Sequence, residues 1–364
     1  MRAAAILAAL TLSAHAQWTI QQSNTIADLR GIDNVGHGIA WASGTNGTVL
    51  HTTDNGATWL LCKTPPDAEH LDFRGIQAFD ANTAIVMSSG RGDLSRLYKT
   101  TDGCQTWKLV FTNPDKEGFW DAIQFSKNDP GINSGIVVGD PVAGKFPLRT
   151  ITERFMTSAG HKDTPKANSG EAAFAASNTA IFVYGQTFLL GTGGSGGARV
   201  IRPAEHSFGE IGWVSYPSSE VPIGHHTETS GIFSMELALD DAPFPLLARR
   251  GVAVGGDYLK PDDSVATAAF TTDGGKTWTA ATIPPHGYRS AVAYDAPTKT
   301  WITVGPNGTD ISTDDGRNWR ALKPSATDTP DADQHWNALS LPFVVGPHGR
   351  IGLLNSTALQ PAKP

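Results

Sequence analysis

Arginine, aspartate, histidine and tryptophan are side chains with which a protein can grip a charged or planar ligand, and this chain sets several of them at matching places in a recurring phrase. Arg30, Arg74, Trp120, Asp121, Arg289, His335 and Trp336 lie in LRGI (29–32), FRGI (73–76), FWDAI (119–123), YRSAV (288–292) and HWNAL (335–339). Each phrase reads bulky, polar, small, apolar. Three guanidiniums supply planar bidentate donors, one carboxylate an acceptor and two indoles flat faces, a set suited to an anionic or peptide ligand. The alternative is that the same groups bridge neighbouring segments by hydrogen bonds to backbone carbonyls.

Other constellations carry less. His225-His226-Thr227-Glu228 places two histidines side by side, but adjacent residues on an extended segment point opposite ways and no third ligand stands at metal spacing. Asp310, Ser312 and Asp314 have the opening rhythm of a calcium loop, with Asp315 where the turn glycine belongs and Ala321 where the bidentate glutamate belongs. No metal is expected. GTGGSGG (191–197) lacks a surrounding βαβ unit, so it reads as a flexible hairpin loop, and no haem-attachment motif occurs. No cofactor is expected. Asp140 and Asp257 each follow a V-x-G strand and begin apparent insertions, at 141–165 and 257–266; these are second candidates for a binding rim, or simple turn caps.

The elements that must position these groups are announced by a second pattern. TTDNGATW (52–59), TTDGCQTW (100–107), TTDGGKTW (271–278) and STDDGRNW (312–319) are four copies of an Asp-box. The aspartates Asp54, Asp102, Asp273 and Asp314 accept hydrogen bonds within a turn, the following residues supply positive φ, and Trp59, Trp107, Trp278 and Trp319 anchor the next strand. Their expected role is structural.

Phrases open units near 29, 73, 119, 171, 230, 288 and 335, the fourth and fifth being the weaker EAAFAAS (171–177) and SGIFSMEL (230–237). Intervals of roughly 40 to 60 residues mark a repeat architecture. Within a unit a second apolar strand ends near glycine, a third runs into the box and a fourth follows the tryptophan, which is a propeller blade. Units three and four carry LRTITERF (148–155) and ARVIRPAEHSFGEIGW (198–213) in place of a box. The fold class expected is all-β: a seven-bladed β-propeller of four-stranded antiparallel blades over residues 17–364. The last unit lacks a fourth strand, and QWTIQQSNT (17–25), with Trp18 where a box tryptophan would stand, is expected to complete it.

Composition agrees with many short strands: of 364 residues, 39 are Gly, 23 Pro and 10 Trp, and 17% are charged. A net charge of −7 without a basic tract excludes a nucleic-acid footprint. The first 16 residues, with Arg2, an apolar run and Ala14-His15-Ala16, read as a signal peptide cleaved near Ala16, so an exported monomer, periplasmic or extracellular, with no membrane span is expected. Cys62 and Cys104, the only cysteines, either bridge neighbouring blades or remain free thiols.

The boxes, the LRGI and FRGI openings, VVGDPVAGKF (137–146) and GGDYLKPDD (255–263) resemble the Asp-box propellers related to the photosystem II stability and assembly factor, in a branch outside photosynthesis. The resemblance spans essentially the whole chain from Gln17 and implies seven blades. It also implies a patch of opening arginines that binds a partner, with Arg30, Arg74 and Arg289 at matching positions and Trp120, Ala172, Ile232 and Trp336 at the others. A binding or assembly module holding a protein or peptide is therefore expected. The competing class is an enzyme. Sialidases are also Asp-box propellers, with Tyr288 and Glu228 the residues that could serve as nucleophile and base, although FRGI departs from their F-R-I-P phrase and seven blades from their six. An oxidoreductase is the other enzymatic alternative.

Overall fold

Short apolar runs bounded by Gly, Asn and Asp cannot bury themselves as helices, and they pair instead as antiparallel strands. The computed structural model describes residues 17–126, 134–152, 159–160, 164–185, 187–204, 215–239, 249–322, 324, 329, 331–355 and 358–359. The leader and most of the segment 202–214 thus lie outside the described residues. Seven sheets form seven blades. Blade one shows the plan, with Leu29–Gly36 innermost, then Ile39–Gly44, Val49–Thr52 and Leu60–Leu61. The other innermost strands are Phe73–Ala78, Trp120–Phe125, Ile181–Tyr184, Ser230–Leu237, Ala291–Asp295 and Ala338–Ser340. Among the described residues no helix is long and apolar enough to cross a membrane.

Blade seven is closed by the start of the chain. Trp18–Gln21 pairs antiparallel with Ile351–Leu354, from Trp18 opposite Leu354 to Gln21 opposite Ile351. The Trp18 side chain is buried against Trp336, and its Nε1 donates to Thr309 Oγ1 at 3.1 Å and to Asp333 Oδ1 at 3.0 Å. Apolar clusters fill the gaps between blades; that between blades one and two holds Trp41, Phe73, Tyr98 and Trp107. Within it Cys62 and Cys104 form a disulfide.

Antiparallel pairing fixes which ends share a face. The opening of each innermost strand lies opposite the end of the second, as Leu29 opposite Gly44 and Phe73 opposite Ser88. The loop from second to third strand therefore shares the opening face, whereas the boxes, which follow the third strand, occupy the other.

Three expectations are corrected. EAAFAAS is not the innermost strand of blade four, because Ile181–Tyr184 takes that place; Glu171–Ala172 pairs with Gly193–Gly194 instead. GTGGSGG is not a free loop. Gly193 pairs with Gly231 of blade five, and a Cβ on Gly193 would lie 2.6 Å from the Gly231 Cα, so only glycines allow this seam. Finally, 141–165 is no single insertion, since it contains the third and fourth strands of blade three, Leu148–Thr152 and Ala159–Gly160.

Candidate functional site at the channel mouth

In blades one, two, three and five the pairing of first and second strands skips one residue near the opening. The breaks fall between Leu29 and Gly31, Phe73 and Gly75, Trp120 and Ala122, and Ile232 and Ser234. The skipped residues are Arg30, Arg74, Asp121 and Phe233. A bulge re-aims its extra side chain out of the regular alternation. The residue just before it, Leu29, Phe73, Trp120 or Ile232, is buried as a wedge between blades.

This register separates the expected binding set. Trp120 is a wedge, stacked on Phe111 at 5.9 Å, and does not reach the mouth. Trp336 is likewise buried, against Trp18 and under the Arg350 guanidinium at 4.9 Å. Arg289 is displaced by one position from Arg30 and Arg74. A Cβ on Gly305 would meet the Tyr288 carbonyl at 2.3 Å, as one on Gly44 would meet that of Asp28 at 2.3 Å, so Tyr288 matches Asp28 and Arg289 matches Leu29. Arg289 is fully buried. Its Nε donates to Asp310 Oδ2 at 2.9 Å, its Nη1 to the Tyr288 carbonyl at 2.8 Å and to Asn307, and its Nη2 contacts Asp310 and His286. No donor nitrogen is left without a partner, so it is a structural cation rather than part of an arginine patch. His335 is exposed with φ 66°, one residue before the wedge Trp336.

Two of the three arginines remain at the mouth. Arg74 is half-buried, its Nε donating to Asp72 Oδ2 at 2.7 Å and its Nη1 to the Ala175 carbonyl at 3.0 Å, a reach from blade two to the segment leading into blade four. Arg30 is half-buried too, and its Nε is enclosed without a hydrogen-bond partner among the described residues. Aromatic rings pack behind the same region: Phe174 stacks on Phe233 at 4.1 Å, Tyr288 meets Phe233 edge-on at 4.8 Å, and Tyr258 does so at 6.1 Å, with Phe233 and Tyr288 buried. Tyr258 is 47% exposed, followed by Leu259 at 68%, on the 257–266 loop. Sequence reasoning missed Phe174, Phe233 and Tyr258; the phenylalanines in EAAFAAS and SGIFSM were the available signal.

Burial pushes the Tyr288 phenol up, only partly opposed by Arg30. That is the wrong direction for a nucleophile, and Glu228 is exposed with no hydrogen bond to it among the described residues. Asp121 is buried with Oδ2 unpartnered; burial first and the charge of Asp140 second raise its pKa well above the carboxylate range, against Arg74. Asp140 is raised by burial, opposed by the Ala173 N–H that donates to its Oδ1 at 3.1 Å. Asp257 caps its turn, accepting from Thr229 Oγ1 at 2.7 Å and Leu259 N at 3.1 Å. His225 faces Asp263 at 3.4 Å, whereas the His226 ring packs over Gly197.

The box aspartates spend their oxygens locally, on the far face. Asp54 accepts from Thr52 Oγ1, Thr58 N and Thr58 Oγ1 at 2.9, 2.9 and 2.6 Å, and Asp102, Asp273 and Asp314 repeat the set. Trp59, Trp107 and Trp319 are buried and Trp278 partly so, each packed within or against an apolar cluster.

The chain superposes on YCF48 bound to D1 peptide with a TM-score of 0.58 at 15% identity, over 94% of this chain and 98% of that one. YCF48 from Cyanidioschyzon merolae gives 0.60 at 17%, over 93% and 99%. The WD40 repeats of RRP9 give 0.58 at 9%, over 93% and 97%. At such identities the likeness is one of fold. No protein-family description matches the sequence, and no curated protein matches it.

Proposed function

We propose that this propeller is a binding module that holds a protein or peptide segment at its channel mouth, on Arg30, Arg74 and the exposed Tyr258, with Phe174, Phe233 and Tyr288 as the packed aromatic support behind it. The observation that carries the reading is Arg30, a half-buried guanidinium at the bulge of blade one with its Nε enclosed and unpartnered among the described residues. A buried donor left without an acceptor costs about 1–3 kcal/mol, which a ligand acceptor would recover. Flat aromatic rims and arginines are the usual anchors of protein interfaces. YCF48, a propeller of the same fold, is known with a bound peptide, which supports the reading by example.

The reading extends to the Asp-box family and its branch outside photosynthesis, on the strength of the four boxes. It also takes the protein to be an exported monomer cleaved near Ala16, supported by the leader composition and by the disulfide, which suits an oxidising compartment. Capture from an envelope extract tests the site: wild type retains a partner that Arg30→Ala/Arg74→Ala releases, while sequencing the bait from its N-terminus reads Gln17 first. Equal capture by both forms rejects the site.

A further inference from the structure

Around Arg74 the charges do not balance. Asp72 binds it directly, Asp121 is the bulge residue at the matching opening of blade three, and Asp140 is held beside that opening by its N–H, which donates to the Phe119 carbonyl at 2.9 Å. Three carboxyl groups thus share one guanidinium, whose Nε and Nη1 are already committed to Asp72 and Ala175. Two carboxyl oxygens, Asp72 Oδ1 and Asp121 Oδ2, are enclosed with no partner among the described residues. The Asp121 residue as a whole is only 2% exposed. Asp140 is partly buried on the loop that follows the second strand of blade three, so it is the member of the group that reaches solvent. Enclosed acceptors that lack donors mark a place where a group is missing.

We propose that Asp121 and Asp140 form a subsite for a primary ammonium group, the tip of a lysine side chain on the bound segment. This rests on the binding reading above and names part of its partner. An ammonium offers three donors on a slim four-carbon stem, enough to serve Asp121 Oδ2 and the free oxygen of Asp140 while its methylenes run out along the mouth. A guanidinium is broader and would meet Arg74. The subsite would make the mouth two-signed, with Arg30 reading an acceptor and Asp121 a donor, so that sequence selectivity need not come from the arginines alone. Burial first and the charge of Asp140 second raise the Asp121 pKa against the pull of Arg74, and a cation binds the ionised carboxylate, so affinity should rise with pH.

The probe is n-butylammonium, followed by saturation-transfer NMR on the full chain. It should bind saturably where n-butanol does not, more tightly as pH rises. Asp121→Asn, isosteric and neutral, should weaken it about tenfold or more, the scale of one charge-assisted hydrogen bond. Asp140→Asn provides a second readout should the first variant fold poorly, and Asp54→Ala, in a box turn on the other face, should leave the probe bound. Binding no better than that of n-butanol, unchanged binding in both asparagine variants, or displacement by calcium chloride at lower concentration would overturn the subsite. Partner capture that survives these variants while the probe fails rejects the subsite alone; probe binding without partner capture rejects the broader reading alone.

Discussion

The two faces of the propeller handle aspartate differently. On the box face four aspartates repeat one arrangement, and their pKa values are lowered. At Asp54 and Asp102 the first cause is the hydroxyl of the threonine four residues on, with Asp102 pulled to about 2. At Asp273 and Asp314 burial pushes upward first but is outweighed by bonds from Thr277 or Asn318. On the opening face Asp121, Asp140 and Asp333 are raised, in each case mainly by burial, Asp333 to about 6, whereas at Asp257 and Asp310 burial pushes upward first but is outweighed by hydrogen bonds. Local turns satisfy their acids; the openings leave some of theirs short of donors. The first face is built for folding, and the second keeps polar capacity unspent.

Blade seven sets the sharpest trial of that division, because it has no box and uses Trp18 in its place. Trp18→Ala should destabilise by about 3–5 kcal/mol, the range for a fully buried aromatic, and it also strips a donor from Asp333. Equilibrium denaturation in guanidinium reads this directly. A loss near zero would mean that closure does not depend on the N-terminal strand.

Next in size is the disulfide. Replacing both cysteines should cost about 2–4 kcal/mol. Cys104 sits at φ 63°, at the box position that Gly56, Gly275 and Gly316 fill elsewhere, with its N–H donating to Thr100 Oγ1 at 3.1 Å as theirs do to the matching hydroxyl. Cys62→Ala/Cys104→Gly should therefore be about 1 kcal/mol more stable than Cys62→Ala/Cys104→Ala. Equal melting of the two would separate Cys104 from the glycine role.

These contrasts also explain what could be read from sequence. A box turn is determined within eight residues, so TTDGGKTW announces its own hydrogen bonds, and four copies led to the blades and to the closing strand at Trp18. The openings are determined between strands. YRSAV looks like FRGI, yet the residue corresponding to Arg74 is Ser290, one position later, because Tyr288 takes the place of Asp72 and not that of Phe73. A bulge adds one residue to one strand, and nothing local says which. The same slip put Trp120 and Trp336 at the mouth and hid Phe233. Blade four was harder still, since its opening runs through an excursion from Glu171 to Ser177 before the strand at Ile181 begins.

The smallest effect tests the box face through pH. Asp273→Ala removes an acceptor for Thr271 Oγ1, Lys276 N, Thr277 N and Thr277 Oγ1, and for so solvated a turn about 1 kcal/mol is the expected loss at neutral pH. The folded pKa is depressed, so this stability is present above the unfolded carboxylate value of about 4 and is lost as pH falls through the lower folded value. The difference between wild type and variant should then shrink as pH is lowered from about 5 toward 2, measured by urea unfolding at each step. Asp121→Asn should behave in the reverse sense, because the folded protein favours its protonated form: the variant should gain on wild type as pH rises from about 4 toward neutrality. Parallel curves for the two variants would erase the distinction between an acid satisfied by its own turn and one held in reserve.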